Sequence, residues 1–266
     1  MTQTIPETLS SEKLRNKLGK HHPAFGCWID MFSPIATEII AQAGNDCLMI
    51  DLEHGPGSVL DAITQMQAAR AYGPKTFVRV SHNSYSEIKR VLDAGADGVM
   101  VPSISSAREA QAVVEAALYA PKGKRGVAST IVRGADYGVK ATEYLETFND
   151  EIMIICQIED SEGVEKAAEI AATDGVDMIF IGPSDLSADL GYPGETDHPV
   201  VMAAIQEVET AVKKAGKLLG AIPTPKRKAA ALYEAGYDLV LDGGDIGFVV
   251  RGARAKSDEL RSILGR

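Results

Sequence analysis

The chain has 266 residues, 45% hydrophobic and 24% charged, the composition of a globular protein large enough to fold without disulfide staples. A net charge of −10 argues against nucleic acid and anionic membranes as partners, while leaving room for a local positive site for a small anion. No apolar run approaches the ~18 residues of a membrane helix, and the polar start MTQTIPETLSSEKL lacks the apolar stretch of a secretion signal.

In chain order, the first strand candidate is PAFGCWID, residues 23–30. It carries Cys27, which with Cys47 and Cys156 makes an odd, widely spaced set among apolar neighbours. Buried free thiols, a reducing compartment and a cytoplasmic location are the expectation. The helical stretch SPIATEIIAQAG follows, with Ser33 as its N-cap.

AGNDCLMID (43–51) then introduces a pattern that recurs as AGADGVMVP (94–102), DGVDMIFIG (174–182) and AGYDLVLDG (235–243). In each copy a glycine can end a helix in left-handed backbone. The short apolar run behind it reads as a parallel strand buried on both faces. TFVRV (76–80), IMIICQIE (152–159) and LLGAIP (218–223) complete eight strands. Amphipathic helical stretches, such as SYSEIKRVLDAG and SAREAQAVVEAALYA, separate most of them.

This alternation predicts an α/β protein, one (β/α)8 TIM barrel over residues 1–266 with an N-terminal helix. A doubly wound open sheet is the alternative, but no glycine-rich phosphate turn follows the first strand. Residues 121–150 form a long insertion after the fourth helix, expected near the active site. The last segment, FVVRGARAKSDELRSIL, reads as a helix that closes the barrel or packs on a neighbouring subunit.

Barrel enzymes place their chemistry at the C-terminal ends of the strands. There the sequence offers Asp51, Glu53 and His54, then Arg79, then Gln157, Glu159 and Asp160, then Gly182-Pro183-Ser184-Asp185, and finally Asp242 and Asp245. Gln157 and Glu159 are two apart on a strand, so they share a face. An inward glutamate is costly to bury unless it is paired or binds a metal. Arg79, in an apolar strand, requires an anionic partner. The N–H groups of Gly182 and Ser184 beside the Asp185 carboxylate could hold an anion next to a cation. Two hard carboxylates, Glu159 and Asp185, with open coordination positions suit Mg²⁺ or Mn²⁺, with Co²⁺ as a further candidate. Asp51 and Glu53 read as supports that orient His54 or a water, and Asp242 and Asp245 as rim acids or caps.

Taken together, WIDMFSP with ATEIIAQAGNDCLMIDLEHGP, VRVSHN, LDAGADGVMVPSI and QIEDSEGVEKAAEIAATDGVDMIFIGPSDLSADLG resemble the metal-dependent pyruvate aldolases of the HpcH/HpaI family, over about residues 20–255. The resemblance implies a (β/α)8 barrel, a divalent metal, and making or breaking of a carbon–carbon bond between pyruvate and an aldehyde. It also implies a homo-hexamer, a dimer of trimers, with exchanged C-terminal helices. It makes His54 the base, acting through water held by the metal, and Arg79 the stabiliser of the enolate oxygen. Glu159 and Asp185 become the metal ligands, and Gln157 and the Ser184 backbone contacts for pyruvate. Asp93 corresponds to the acid that raises the basicity of the histidine, yet it falls near the end of a helix, approaching the other face of the barrel. Asp51, Glu53 and Asp93 thus stay open as partners of His54. The RGVASTIVRGADYG stretch departs from the family's RGVGSA and leaves the aldehyde open. Two further readings stand beside the aldolase: an oxaloacetate decarboxylase or acyl-CoA lyase using the same site, and a non-catalytic barrel with a binding or assembly role.

Overall fold

The computed structural model describes residues 23–266. The expected N-terminal helix, and His21 and His22, lie outside the described residues. Eight strands form a closed parallel barrel in sequence order. They are β1 (Ala24–Ile29), β2 (Cys47–Asp51), β3 (Lys75–Arg79), β4 (Gly98–Val101), β5 (Met153–Ile158), β6 (Met178–Ile181), β7 (Leu218–Ala221) and β8 (Leu239–Gly244). The helices are α1 (Pro34–Gln42), α2 (Val59–Ala69), α3 (Tyr85–Asp93), α4 (Ala107–Ala117), α5 (Ala141–Glu151), α6 (Ser161–Glu165), α7 (Ala167–Ala171), α8 (Pro183–Asp189), α9 (Pro199–Ala215), α10 (Ala229–Glu234) and α11 (Asp245–Ile263). Closure between β8 and β1 confirms the (β/α)8 barrel. Among the described residues no helix is long and apolar enough to cross a membrane.

The recurring glycine–aspartate pattern has a two-part explanation. Gly44, Gly95, Gly175 and Gly236 all take left-handed backbone, with φ of 92°, 91°, 89° and 87°, as a helix C-terminus requires. The aspartate two residues on then accepts a backbone N–H from the strand preceding its own. Asp46 takes Phe25 (3.2 Å), Asp97 takes Thr76 (2.9 Å), Asp177 takes Ile154 (2.8 Å) and Asp238 takes Leu219 (2.9 Å). Each copy thus ends a helix and pins the entry of a strand whose N–H would otherwise lack a partner.

Ser33 caps α1 and Ser106 caps α4, and Ser58 forms a reciprocal capping box with Asp61 on α2. The stretch SEGVEKAAEIAA, read as one helix, bends at Lys166 (φ −102°, ψ 11°) into α6 and α7. The Lys166 N–H still reaches Glu162 O, so this is a kink in a continuous ladder.

Strand side chains sort by parity into two cores. Leu48, Ile50, Val78, Val99, Ile154 and Ile179 face the helices. Met49, Phe77, Met100, Ile155, Phe180 and Leu241 fill the barrel. Extending the inward register by one step carries Asp30, Asp51, Arg79, Gln157 and Gly182 to the C-terminal mouth, and a second step on β5 adds Glu159.

The insertion does not approach that mouth as expected. Its one-turn helix Arg133–Gly138 and α5 pack at the other end. There Arg133 reaches Ala94 O, and a Cβ on Gly95 would lie 3.3 Å from Gly134. Joining the end of α4 to the start of β5, the insertion begins and ends at the N-terminal face, where Tyr144 and Phe148 pack against Tyr119.

Candidate active site

The β2 carboxylate Asp51, 2% exposed, is the organising acceptor of the mouth. Arg79 donates to it in a fork, Nε to Oδ1 at 2.9 Å and Nη2 to Oδ2 at 2.6 Å. The N–H groups of Glu53 (3.0 Å) and His54 (3.4 Å) also donate to Oδ1. Burial opposes the charge on Asp51, but the Arg79 contacts and these N–H groups outweigh it and hold the carboxyl below its usual range. Arg79 lies over the Trp28 ring at 4.4 Å, which fixes the plane of its guanidinium. Its Nη1 stands 3.0 Å from Glu53 Oε2, an ion contact without hydrogen-bond alignment, and that buried oxygen accepts no hydrogen bond. Among the described residues, Arg79 makes hydrogen bonds through Nε and one Nη2 N–H, and its second Nη2 N–H has no acceptor.

His54 sits beyond this pair, its side chain 65% exposed, with Nε2 3.9 Å from Glu53 Oε2. The Gly55-Pro56-Gly57 turn holds it by packing against Phe32. A Cβ on Gly57 would collide with the Phe32 ring and one on Gly55 would fall 2.5 Å from it, so the turn demands glycine at both.

Across the mouth, Glu159 is buried at the end of β5. Its Oε1 accepts the Ser103 N–H (2.9 Å) and hydroxyl (3.2 Å), and its Oε2 accepts from Gln157 Nε2. Ser103 makes both contacts from left-handed backbone, φ 53°, a strained conformation typical of functional sites. Burial pushes the Glu159 carboxyl up to about 7; the Ser103 hydrogen bonds counteract this, and the charges of Glu53 and Asp185 add to it. Burial likewise raises Glu53, against Arg79 and His54 and with Asp51 and Asp185. Behind them burial pushes Asp30 up to about 6, helped by Asp51 and Asp245. Asp245 is a buried bridge between the C-terminal ends of β8 and β1, accepting the N–H groups of Asp30 and Met31 at 3.0 Å each.

Three carboxylates, Glu53, Glu159 and Asp185, therefore repel one another around a mouth whose buried cation is Arg79. The Gln157 Oε1 atom is buried without a hydrogen-bond partner. A divalent cation at Glu159 and Asp185 would relieve that repulsion, so the donor set fits one. No group of three or more His, Cys, Asp or Glu at metal-binding spacing occurs among the described residues. Two carboxylates with positions left for water and substrate are a donor set that would suit Mg²⁺.

Two sequence expectations change. The Gly182 N–H donates to Ile158 O at 3.0 Å, so it is not free to bind an anion. Its role is to lack a side chain: a Cβ there would collide with Glu159 Oε2 and lie 2.7 Å from Gln157 Nε2. Gly182→Ala should displace both and lower turnover by about tenfold or more, with a stability loss of about 1–3 kcal/mol on denaturant titration. Asp93, in turn, ends α3 at the opposite face and pairs with Arg125 at 2.6 Å. Any action of Asp93 on His54 requires a second copy of the chain. Ser184 and Asp185 are exposed in the first turn of α8, at the mouth as expected. Trp28, Phe32 and Ser103 are the supports that sequence reasoning did not assign. The strain at Ser103 has no signature in VPSIS.

The model of the HpcH/HpaI aldolase/citrate lyase family matches residues 24–251. The chain belongs to this family. The 4-hydroxy-2-oxo-heptane-1,7-dioate aldolase of Klebsiella pneumoniae subsp. pneumoniae is 37% identical to this HpcH/HpaI chain over 241 residues, 91% of each. A HpcH/HpaI aldolase/citrate lyase family protein from Burkholderia cenocepacia J2315 superposes with a TM-score of 0.89 at 36% identity, covering 94% of this chain and 99% of that one. The citrate synthase SbnG superposes with a TM-score of 0.86 at 29% identity, covering 97% and 100%. Family membership makes this barrel a carbon–carbon lyase.

Proposed function

We propose that this HpcH/HpaI chain cleaves a 4-hydroxy-2-oxo acid to pyruvate and an aldehyde, and catalyses the reverse addition. The observation that carries the reading is the juxtaposition of a forked Arg79, with a donor to spare, and the mutually repelling Glu159 and Asp185. Glu159 and Asp185 would hold Mg²⁺ or Mn²⁺, with Co²⁺ as a further candidate. When bound, the metal supplies Lewis-acid polarisation of the substrate's 2-oxo group.

The chain's own groups do the rest. The free Arg79 Nη2 N–H donates to the oxygen on which negative charge develops, preorganised by Asp51 and Trp28. His54, open to the mouth, accepts the proton of the C4 hydroxyl. The C3–C4 bond breaks, the aldehyde leaves, and the electron pair stays on the three-carbon fragment. That fragment then takes up a proton at C3 to become pyruvate. Gln157 and the first turn of α8 at Ser184 orient the carboxylate end.

The test is pyruvate release from a panel of 4-hydroxy-2-oxo acids, beginning with 4-hydroxy-2-oxoheptane-1,7-dioate and including oxaloacetate as the competing substrate. EDTA should abolish release, Mn²⁺ should restore it, and His54→Ala should lower kcat by about 10²–10⁴-fold. Metal-independent release, or an unimpaired His54→Ala, would overturn the reading.

The same reading includes a cytoplasmic homo-hexamer, a dimer of trimers with α11 exchanged. It is supported by α11 itself, which leaves Phe248, Val249, Val250, Leu260 and Ile263 exposed, apolar side chains that a partner subunit would cover. Sedimentation should give about six times the 28.3 kDa chain.

A further inference from the structure

A cleft lies at the end of the barrel away from Glu159, where the insertion meets the end of α2 and the start of β3. Its volume is about 440 Å³, and Arg70 and Arg133 line it along with Met66, Tyr137, Phe148 and Ile152. Arg133 is half-buried. Its Nη1 donates to Ala94 O at 2.7 Å, which caps α3. No ion pair forms at either Arg70 or Arg133 among the described residues. The nearby acids are otherwise engaged. Asp97 accepts Lys75 at 2.8 Å and the Thr76 N–H at 2.9 Å, and Asp136 faces Lys140 at 3.3 Å. Glu151 also lines the cleft, but it is not among the charges acting most strongly on Arg133. Burial and the like charge of Arg70 both act against the Arg133 charge, and Tyr137, Asp136 and Asp97 offset them without a hydrogen bond. A half-buried guanidinium without a paired carboxylate is costly.

The cleft wall is also strained. Asp136 and Tyr137, neighbours and neither of them glycine, hold φ of 49° and 55°. Such conformations persist where the surroundings impose them, often at ligand sites. The size of the cleft suits a small metabolite.

We propose that this cleft is a second binding site, separate from the mouth, for a small oxyanion carrying phosphate or carboxylate groups, clamped between Arg70 and Arg133 against the Tyr137 and Phe148 rings. Planar guanidinium groups recognise either oxyanion in the same forked geometry. The site does not depend on the aldolase reading, because none of its residues lies at the mouth.

The experiment is calorimetric titration of the full chain, with Mg²⁺ and saturating pyruvate present to occupy the mouth. One arm uses 3-phosphoglycerate and the other tricarballylate, which separates a phosphate source from a carboxylate source. At least one probe should bind saturably with a Kd of about 1 mM or tighter. Arg70→Glu, an exposed change away from the mouth, should weaken binding about tenfold or more and leave pyruvate release unchanged. Arg133→Gln should weaken it further. If Arg133→Gln fails to fold for loss of the α3 cap, Arg70→Glu alone decides. Absence of saturable binding by either probe, or wild-type affinity in Arg70→Glu, would overturn the proposal.

Discussion

Glu159→Gln is expected to abolish metal-dependent turnover while leaving the fold intact. The amide oxygen can still accept the Ser103 N–H and hydroxyl that now bond Oε1 at 2.9 and 3.2 Å, and a flip of the Gln157 amide turns its unpartnered Oε1 toward the new NH2, so the local frame survives. The negative charge that would hold a divalent cation does not. A fall in kcat of about 10²–10³-fold or more follows, the range for losing one electrostatic stabiliser of a transition state.

Stability should move the other way. The Glu159 carboxyl is pushed up to about 7 from an ordinary 4.5. Between those values the folded chain holds a proton that the unfolded chain has released. Its contribution to stability is therefore complete below the ordinary value and is lost as pH rises through the folded one. At about pH 8 the metal-free wild type carries a buried carboxylate repelled by Glu53 and Asp185, and metal-free Glu159→Gln should melt at the same temperature or higher. A cation takes the place of the proton, so the melting-temperature rise on adding Mn²⁺ should be larger at about pH 8 than at about pH 5.5 in the wild type. In Glu159→Gln it should be small at both. Full turnover in the variant, or equal Mn²⁺ shifts at the two pH values in the wild type, would remove Glu159 from the metal site.

Arg79→Lys separates charge from geometry. The ammonium keeps the positive charge near Asp51 but cannot reproduce the fork at 2.9 and 2.6 Å, nor lie flat over Trp28. Asp51 is 2% exposed and also carries the N–H groups of Glu53 and His54, so loosening the fork loosens the loop that presents His54. We expect kcat to fall by about 10²-fold and stability by about 1–3 kcal/mol, the cost of a buried polar partner left unsatisfied. Arg79→Ala should cost more, about 3–5 kcal/mol, because it strands a buried carboxylate. The two variants should thus differ in urea midpoint while both lose activity. Equal midpoints, or Arg79→Lys turning over like the wild type, would show that the fork is not what positions Arg79.

Much of this architecture follows from short-range pattern. The four glycine–aspartate copies mark helix ends and strand entries because left-handed backbone and a short acceptor side chain act within a few residues. Period-two alternation places Gln157 and Glu159 on one face, and with them the inward set at the mouth. These are local properties, set by backbone sterics and side-chain size.

The pairings are another matter. Whether Arg79 meets Asp51 or Glu159, and whether Ser103 turns its N–H on Glu159, depends on strand register across the sheet. The acid nearest to His54 turned out to be Glu53, because Asp51 is occupied by Arg79 and by backbone N–H groups. Asp93, near in motif, lies at the far face because α3 runs the length of the barrel before it ends. The insertion of residues 121–150 sits at the opposite face because it connects α4 to β5, and there Phe148 packs under Arg125. The parity of a strand is decided one residue at a time. Which charge neutralises which is decided only when distant segments compete for the same buried space, and that competition exists only in the folded barrel.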